Sequence, residues 1–179
     1  MKAVNSWLVR LLIPVLLLAG CSAATYEYTS SPVTGTVSTP LFQAEFTPEK
    51  EGTAYFTRFR LNVKNLSDAA MEIDWNQTAY ILDGKSRGRF VWADIEPAAV
   101  KEGTIPNDTV EPGQAFSRVI SPLAKVAMAQ RSDYGAGKDK PGLYGGILPP
   151  GENGILLAIK AKGQLLRKKL VVVITEEKK

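Results

Sequence analysis

The apolar positions of this chain change period once. Up to residue 20 they run together; from Leu41 onward they alternate with polar ones. Phe42, Ala44 and Phe46 interleave with Gln43 and Glu45, the spacing of a strand with one buried and one solvated face. Tyr55, Thr57, Phe59, Leu61 and Val63 alternate with Phe56, Arg58, Arg60, Asn62 and Lys64, the clearest strand in the chain. After a turn at Asn65-Leu66-Ser67-Asp68, residues Met71, Ile73 and Trp75 alternate with Glu72, Asp74 and Asn76. Paired as a hairpin, these two segments would set Arg60 against Asp74 on the wet side and Phe59 against Trp75 on the dry side.

Turn chemistry divides the remainder. Asp83-Gly84 favours a primed turn, so Thr78–Leu82 and Arg87–Trp92 read as a further hairpin. Pro97 to Asn107 reads as irregular. Glu111-Pro112-Gly113-Gln114 launches a strand from Ala115 to Ile120 that Pro122 ends. Leu123 to Gln130 carries helix-forming residues and supplies at most one short helix. Arg131 to Gly146, with five glycines and one proline, reads as a long mobile loop. Ile155–Ala161 and Leu165–Thr175 form a closing hairpin around Gly163-Gln164. About seven short strands with almost no helix predict an all-β protein, an antiparallel β-sandwich.

The closing hairpin has two distinct faces. Ile155, Leu157, Ile159, Leu166, Leu170, Val172 and Ile174 share the face that must be core. The opposite face carries Leu156, Ala158, Val171 and Val173, then turns basic at Lys160, Lys162, Arg167 and Lys169. In this register Lys160 faces Arg167, a like-charge pair that calls for an anionic neighbour. Those four residues are therefore a candidate surface for an envelope protein or another anionic envelope component. The plainer account is a set of lysines that protects an edge from aggregation.

The N-terminal segment has a different grammar. Lys2 and Arg10 supply positive charge, and Leu11 to Ala19 is an apolar run of nine residues. That is far short of the roughly 20 residues that span a bilayer. A charged start, a short apolar middle and a small-residue end are the marks of a secretory signal. The run closes on Leu18-Ala19-Gly20-Cys21, which holds the only cysteine and resembles the lipobox of bacterial lipoproteins. The resemblance implies cleavage between Gly20 and Cys21, a diacylglyceryl group on the Cys21 sulfur and acylation of the new amine. Ser22, where Asp would resemble an inner-membrane retention signal, implies an outer-membrane address facing the periplasm.

Three segments follow from this: a signal peptide over 1–20, a lipidated tether over 21–40 and a sandwich domain over 41–179. Ser22 to Pro40 is rich in Ser, Thr and Ala, and as a flexible chain would reach roughly 25 Å. Tyr26 and Tyr28 alternate within it as the start of an edge strand would. The Trp75 strand, the Val110-Glu111-Pro112-Gly113 turn and the closing hairpin are similar to immunoglobulin-like domains of small bacterial envelope lipoproteins. That resemblance spans Leu41 to Thr175, rests on pattern, and implies that Trp75 is the core tryptophan of the sandwich.

Composition then narrows the chemistry. Removing Lys2 and Arg10 with the signal lowers the formal charge from +4 to +2, too little to argue for nucleic acid. Histidine is absent, which excludes a Ser-His-Asp or Cys-His arrangement and imidazole-held zinc. No serine has a lysine three residues later, so a Ser-x-x-Lys enzyme is excluded too. Carboxylates remain, with Glu72 and Asp74 on one strand face; they read as a solvated face balanced by Arg58 and Arg60. Gly135-Ala136-Gly137-Lys138 lacks the Gly-Lys-Ser/Thr ending of a phosphate loop, and Asp133 and Asp139 lack EF-hand spacing. Three Asn-x-Ser/Thr triplets, at Asn65, Asn76 and Asn107, read as coincidence. Tyr134, Tyr144 and Trp92 would stack on a sugar or a peptide if exposed together; the plainer account is that they pack the loop against its own sandwich. The expectation is a lipid-anchored, non-enzymatic binding or scaffolding module without cofactor or metal, held to the membrane by its lipid. The alternative is a carboxylate-dependent hydrolase of envelope glycans.

Overall fold

Alternation becomes burial once the strands pair. The computed structural model describes residues 26–129 and 142–179. The described chain opens with β1 (Tyr26–Ser31) and β2 (Gly35–Ser38), linked through a cis Ser31–Pro32 bond. Next, β3 (Phe42–Lys50) and β4 (Phe56–Asn65) form a hairpin in which Ala44 opposes Val63 and Phe46 opposes Leu61. β5 (Met71–Ile73) and β6 (Ala79–Leu82) are two pieces of one edge path, and β7 (Lys85–Ser86) folds back on β6. β8 (Phe90–Val91), helix α1 (Pro97–Glu102), β9 (Asp108–Val110) and β10 (Ala115–Pro122) follow. A 3-10 turn at Leu123–Lys125 leads to β11 (Val126–Ala129), which pairs with β12 (Gly142–Gly145). The long pair β13 (Gly151–Ala161) and β14 (Gln164–Lys178) closes the chain.

One sheet runs β1-β14-β13, with β5 and β6 successive along the free side of β13, β9 outside β5 and β7 outside β6. The other runs β2-β3-β4-β10-β8. In chain order, β3, β4, β8 and β10 take the places A, B, D and E. The interrupted β5/β6, then β13 and β14, take C, F and G. Sheet orders A-B-E-D and C-F-G are those of an immunoglobulin-like antiparallel sandwich. Seven strands are thus the frame, and shorter pieces extend its edges. Between the sheets, Phe42, Phe46, Phe59 and Leu61 meet Ile73, Ile155, Leu157, Ile159 and Val172, all fully buried. Phe46 stacks on Phe59 with ring centroids 4.2 Å apart, and Tyr80 and Phe90 meet the pair edge-on or tilted. Each such side chain contributes about 1.5–3 kcal/mol through burial.

Several expectations are corrected. The segment 22–40 is not a tether throughout: from Tyr26 it is built into both sheets, with Tyr26 opposite Lys178 and Gly35 opposite Phe46. β4 and β5 are not a hairpin, because the chain crosses from one sheet to the other between them. Arg60 therefore meets Glu49 rather than Asp74, at 2.6 Å, and Phe59 packs within the Phe46 cluster rather than on Trp75. Arg87–Trp92 is not one strand; Lys85–Ser86 stays with β6 while Phe90–Val91 joins β10 in the opposite sheet. Pro97–Asn107 contains α1, which has proline in its first turn and Gly103 in the left-handed region after its end. Leu123–Gln130 holds no α-helix as far as it is described: strand pairing of Val126–Ala129 with Gly142–Gly145 overrides local helix preference. That pairing also takes Gly142–Gly145 out of the expected loop, while residues 130–141 lie outside the described ones. The closing turn is Lys162-Gly163, both at positive φ (49° and 75°), and Ala161 opposes Gln164. A primed two-residue turn needs that backbone at both central positions, which moves Lys160 opposite Leu165 and Arg167 opposite Ala158.

Candidate functional site

The expected basic surface is a set of local ion pairs. Lys160 Nζ lies 2.9 Å from Asp74 Oδ2, Lys162 Nζ 2.8 Å from Asp68 Oδ1, and Lys169 Nζ 2.6 Å from Glu152 Oε1. Arg167 donates to the Gln77 side-chain oxygen. Glu72 and Asp74 do not share a solvated face either. Glu72 accepts from Asn107 at the surface, while the Asp74 side chain is only 5% exposed. Asp74 closes the turn that splits β5 from β6, accepting from the Asn76 and Gln77 amides and from Gln77 Nε2. Burial acts to raise its carboxyl, but the bonds from Lys160 and Gln77 outweigh that and hold it below its ordinary value. Asp74 in turn holds Lys160 above the usual lysine value, through the hydrogen bond first and charge second. This is a fastening, not an acid–base pair, which would need one carboxyl kept neutral.

A more open arrangement surrounds Trp92, directly after β8. On one side its ring meets Trp75, centroids 5.0 Å apart, and the Arg118 guanidinium stands 4.3 Å from the Trp92 centroid and 5.0 Å from that of Phe116. Arg118 pairs through both terminal nitrogens with Asp108 on β9, and Trp75 Nε1 donates to the same carboxylate at 2.6 Å. The cluster thus ties β10 of one sheet to β9 of the other. A hollow of about 220 Å³ opens beside it, lined by Trp92, Asp94, Asn107, Asp108 and Arg118 among others.

On the other side of Trp92 lies a cavity of about 170 Å³ between the outer face of β4, β8 and β10 and the β11–β12 ribbon. Its position follows from a bulge. Glu49 opposes Arg58 and Lys50 opposes Phe56, so Thr57 has no partner across the β3–β4 hairpin. A bulge re-aims side chains, and here Thr57 and its neighbour Arg58 both line the cavity. Thr57 is 8% exposed, yet its hydroxyl has no hydrogen-bond partner among the described residues. Arg58 Nη1 is 2.7 Å from Glu51; its Nε is 3.4 Å from Glu49 but too poorly aligned to count as hydrogen-bonded. Ser121, Val91 and Val119 line it as well, and Val126 and Gly145 come from the ribbon. A Cβ at Gly145 would stand 2.5 Å from the Thr57 carbonyl oxygen, so only glycine lets the ribbon approach this closely.

Cys21, Asp133, Tyr134, Asp139 and Gly135-Ala136-Gly137-Lys138 lie outside the described residues. Tyr144 falls on β12, opposite Ala127. Trp75 is buried, as expected. Asp108, Arg118 and the role of Thr57 are features of the fold that the sequence pattern does not announce as a site. Arg118 carried a signal, since it shares the inward phase of Phe116 and Ile120; Thr57 likewise sits in phase with Phe59 and Leu61. Among the described residues, no cluster of three or more Cys, Asp or Glu side chains has a metal-binding arrangement. No described helix is long and apolar enough to cross a membrane. No protein-family description, curated protein or solved structure matches this chain significantly.

Proposed function

We propose that this chain is a lipid-anchored envelope protein, facing the periplasm from the outer membrane, and that its sandwich is a non-enzymatic binding module. The address is supported by Leu18-Ala19-Gly20-Cys21 at the end of a charged-then-apolar leader. The binding role rests on one observation: Glu51, which lines the cavity beneath the ribbon, is committed to a cation, as are Glu49 beside it and Asp108 beside the hollow. Asp108 is bound by Arg118, Glu49 by Arg58 and Arg60, and Glu51 by Arg58. A glycan hydrolase of the two-carboxylate kind needs one acid kept protonated by its surroundings and a second free to attack or to activate water. The guanidinium groups occupy the carboxylate oxygens that such a reaction would use.

With Cys21 as anchor, five Cα steps separate the lipid-bearing residue from β1, a span of at most about 17 Å. The sandwich then stands close to the membrane, with the Tyr26–Lys178 end nearest and the Lys162-Gly163 turn pointing away. The testing variant is Cys21→Ala in the full chain. Lipid labelling should disappear and the leader should remain attached; a normal-sized, membrane-bound product would defeat the lipoprotein reading. Purified wild-type protein should leave isolated envelope glycans uncut, and reducing ends released by it would restore the hydrolase reading.

A further inference from the structure

We propose that the end of the sandwich nearest Cys21 is a lipid-contact surface, which lays Tyr26, Leu123 and Ile147 into the headgroup layer of the bilayer. The inference deepens the lipoprotein reading and rests on it. β1, β4 and β13 begin at this end, and β3, β10 and β14 finish there. Tyr28 sets its buried ring edge-on to Tyr55, just before β4, with centroids 6.2 Å apart. Tyr26 shares that phase two residues further out, past the core, and is 44% exposed. Leu123 directly follows β10, whose register on β4 sets it level with Phe56. Ile147 lies at that level too, since the next amide, Leu148 N–H, donates to the Phe56 carbonyl at 2.9 Å. Leu123 and Ile147 are 40% and 45% exposed. Among the described residues the other exposed large apolar side chains are Val33, Leu66 and Val173, scattered over the β1–β2 link, the far end and an outer face. Single ones are ordinary, whereas a group at one end marks a contact surface.

The length of the connection selects the occupant. Five Cα steps hold Tyr26 within about 17 Å of Cys21, whose acyl chains lie in the hydrocarbon under the anchoring proposed above. The headgroup layer beside it is about 5–8 Å thick, so this end stays within reach of it, and a protein partner would have to share that space. A tyrosine suits the place, with an apolar ring and a hydroxyl that stays wet. Charge does not oppose the contact: Glu27 pairs with Lys179 and Glu51 with Arg58, both at 2.7 Å. Because the acyl chains already supply affinity, the contact acts on orientation, holding the Lys162-Gly163 turn away from the membrane.

Cys21 is the only cysteine and is blocked by lipid in this reading, so one added thiol can be labelled alone. A nitroxide would be placed on Tyr26→Cys, on Leu123→Cys, on Ile147→Cys and, at the far end, on Leu66→Cys, a position of similar exposure at 42%. Each full lipidated chain goes into vesicles of phosphatidylethanolamine and phosphatidylglycerol. Collisions with a water-soluble nickel complex should be several-fold rarer at the first three positions than at Leu66→Cys. Adding Ile147→Glu should return the Leu123→Cys label to the Leu66→Cys value, with the melting temperature unchanged. Three results overturn the proposal: all labels meet the complex equally, Ile147→Glu changes nothing, or the shielding vanishes at one copy per vesicle, which would assign the surface to a second copy. A chain whose mass shows no lipid defeats the anchoring reading itself and this proposal with it, whereas a lipidated chain with exposed labels defeats this proposal alone.

Discussion

At the scale of single residues, this protein separates charges that hold from polar groups that are left open. Asp74 shows the first kind. Its folded-state carboxyl lies below the ordinary value near 3.8, so its ionised form stabilises the fold above that value. The contribution is lost as the pH falls through the lower, folded one. Asp74→Asn should therefore cost roughly 1–3 kcal/mol at neutral pH. The gap to wild type should begin to narrow as the pH falls below about 3.8 and close only below the lower, folded value, where the wild-type carboxyl is itself protonated. Urea midpoints at both pH values check this, and an undiminished gap in acid would mean that the carboxylate charge is not what matters. The sequence placed Asp74 on a wet face because strict alternation was carried past Ile73. In the fold, strand geometry stops there and a tight turn begins. Buried Trp75 was read correctly, since the size of an indole outweighs the local backbone. Arg118 and Thr57 were legible as polar residues in an apolar phase, but phase alone does not reveal a bulge or a cross-sheet carboxylate.

Among the elements, the β11–β12 ribbon is the one whose placement depends most on a single atom's absence. Its Gly145 rests against the Thr57 backbone and the Ser121 hydroxyl. Gly145→Ala puts a methyl carbon 2.5 Å from a carbonyl oxygen, and a main-chain atom in a paired strand yields poorly. We expect a loss of about 1–3 kcal/mol, as for other forced overpacking. Amide exchange should accelerate over Val126–Ala129 while the β3–β4 ladder stays protected. Uniform acceleration throughout the sandwich would show that the ribbon is not a separate layer. This element is barely legible in the sequence, because a glycine-rich stretch offers no alternation to read and only the facing surface makes it a strand. The long strands were legible for the opposite reason: β3, β4, β13 and β14 each bury one face against the same core. Their partners were less so. Hydrophobic period tells which face is inside, not which sheet a strand joins, so alternation alone pairs β4 with β5 although they lie in different sheets.

For the molecule as a whole, the sheet orders place both chain ends of the described sandwich together, Tyr26 beside Lys178. Under the anchoring at Cys21 proposed above, this arrangement would set how mechanical load enters the fold. A pull between Cys21 and a partner on the Lys162-Gly163 turn runs along β1, so its six pairings with β14, Tyr26 to Ser31, are sheared together. A pull between Cys21 and Lys179 opens the same six from one end, one after another. Stretched singly between those two sets of handles, the protein should unfold at clearly higher force in the first geometry, and equal forces would show that β1 carries no load. A strand that read as part of a slack leash thus becomes the rivet line through which an anchor at Cys21 would tug on the domain without peeling it open.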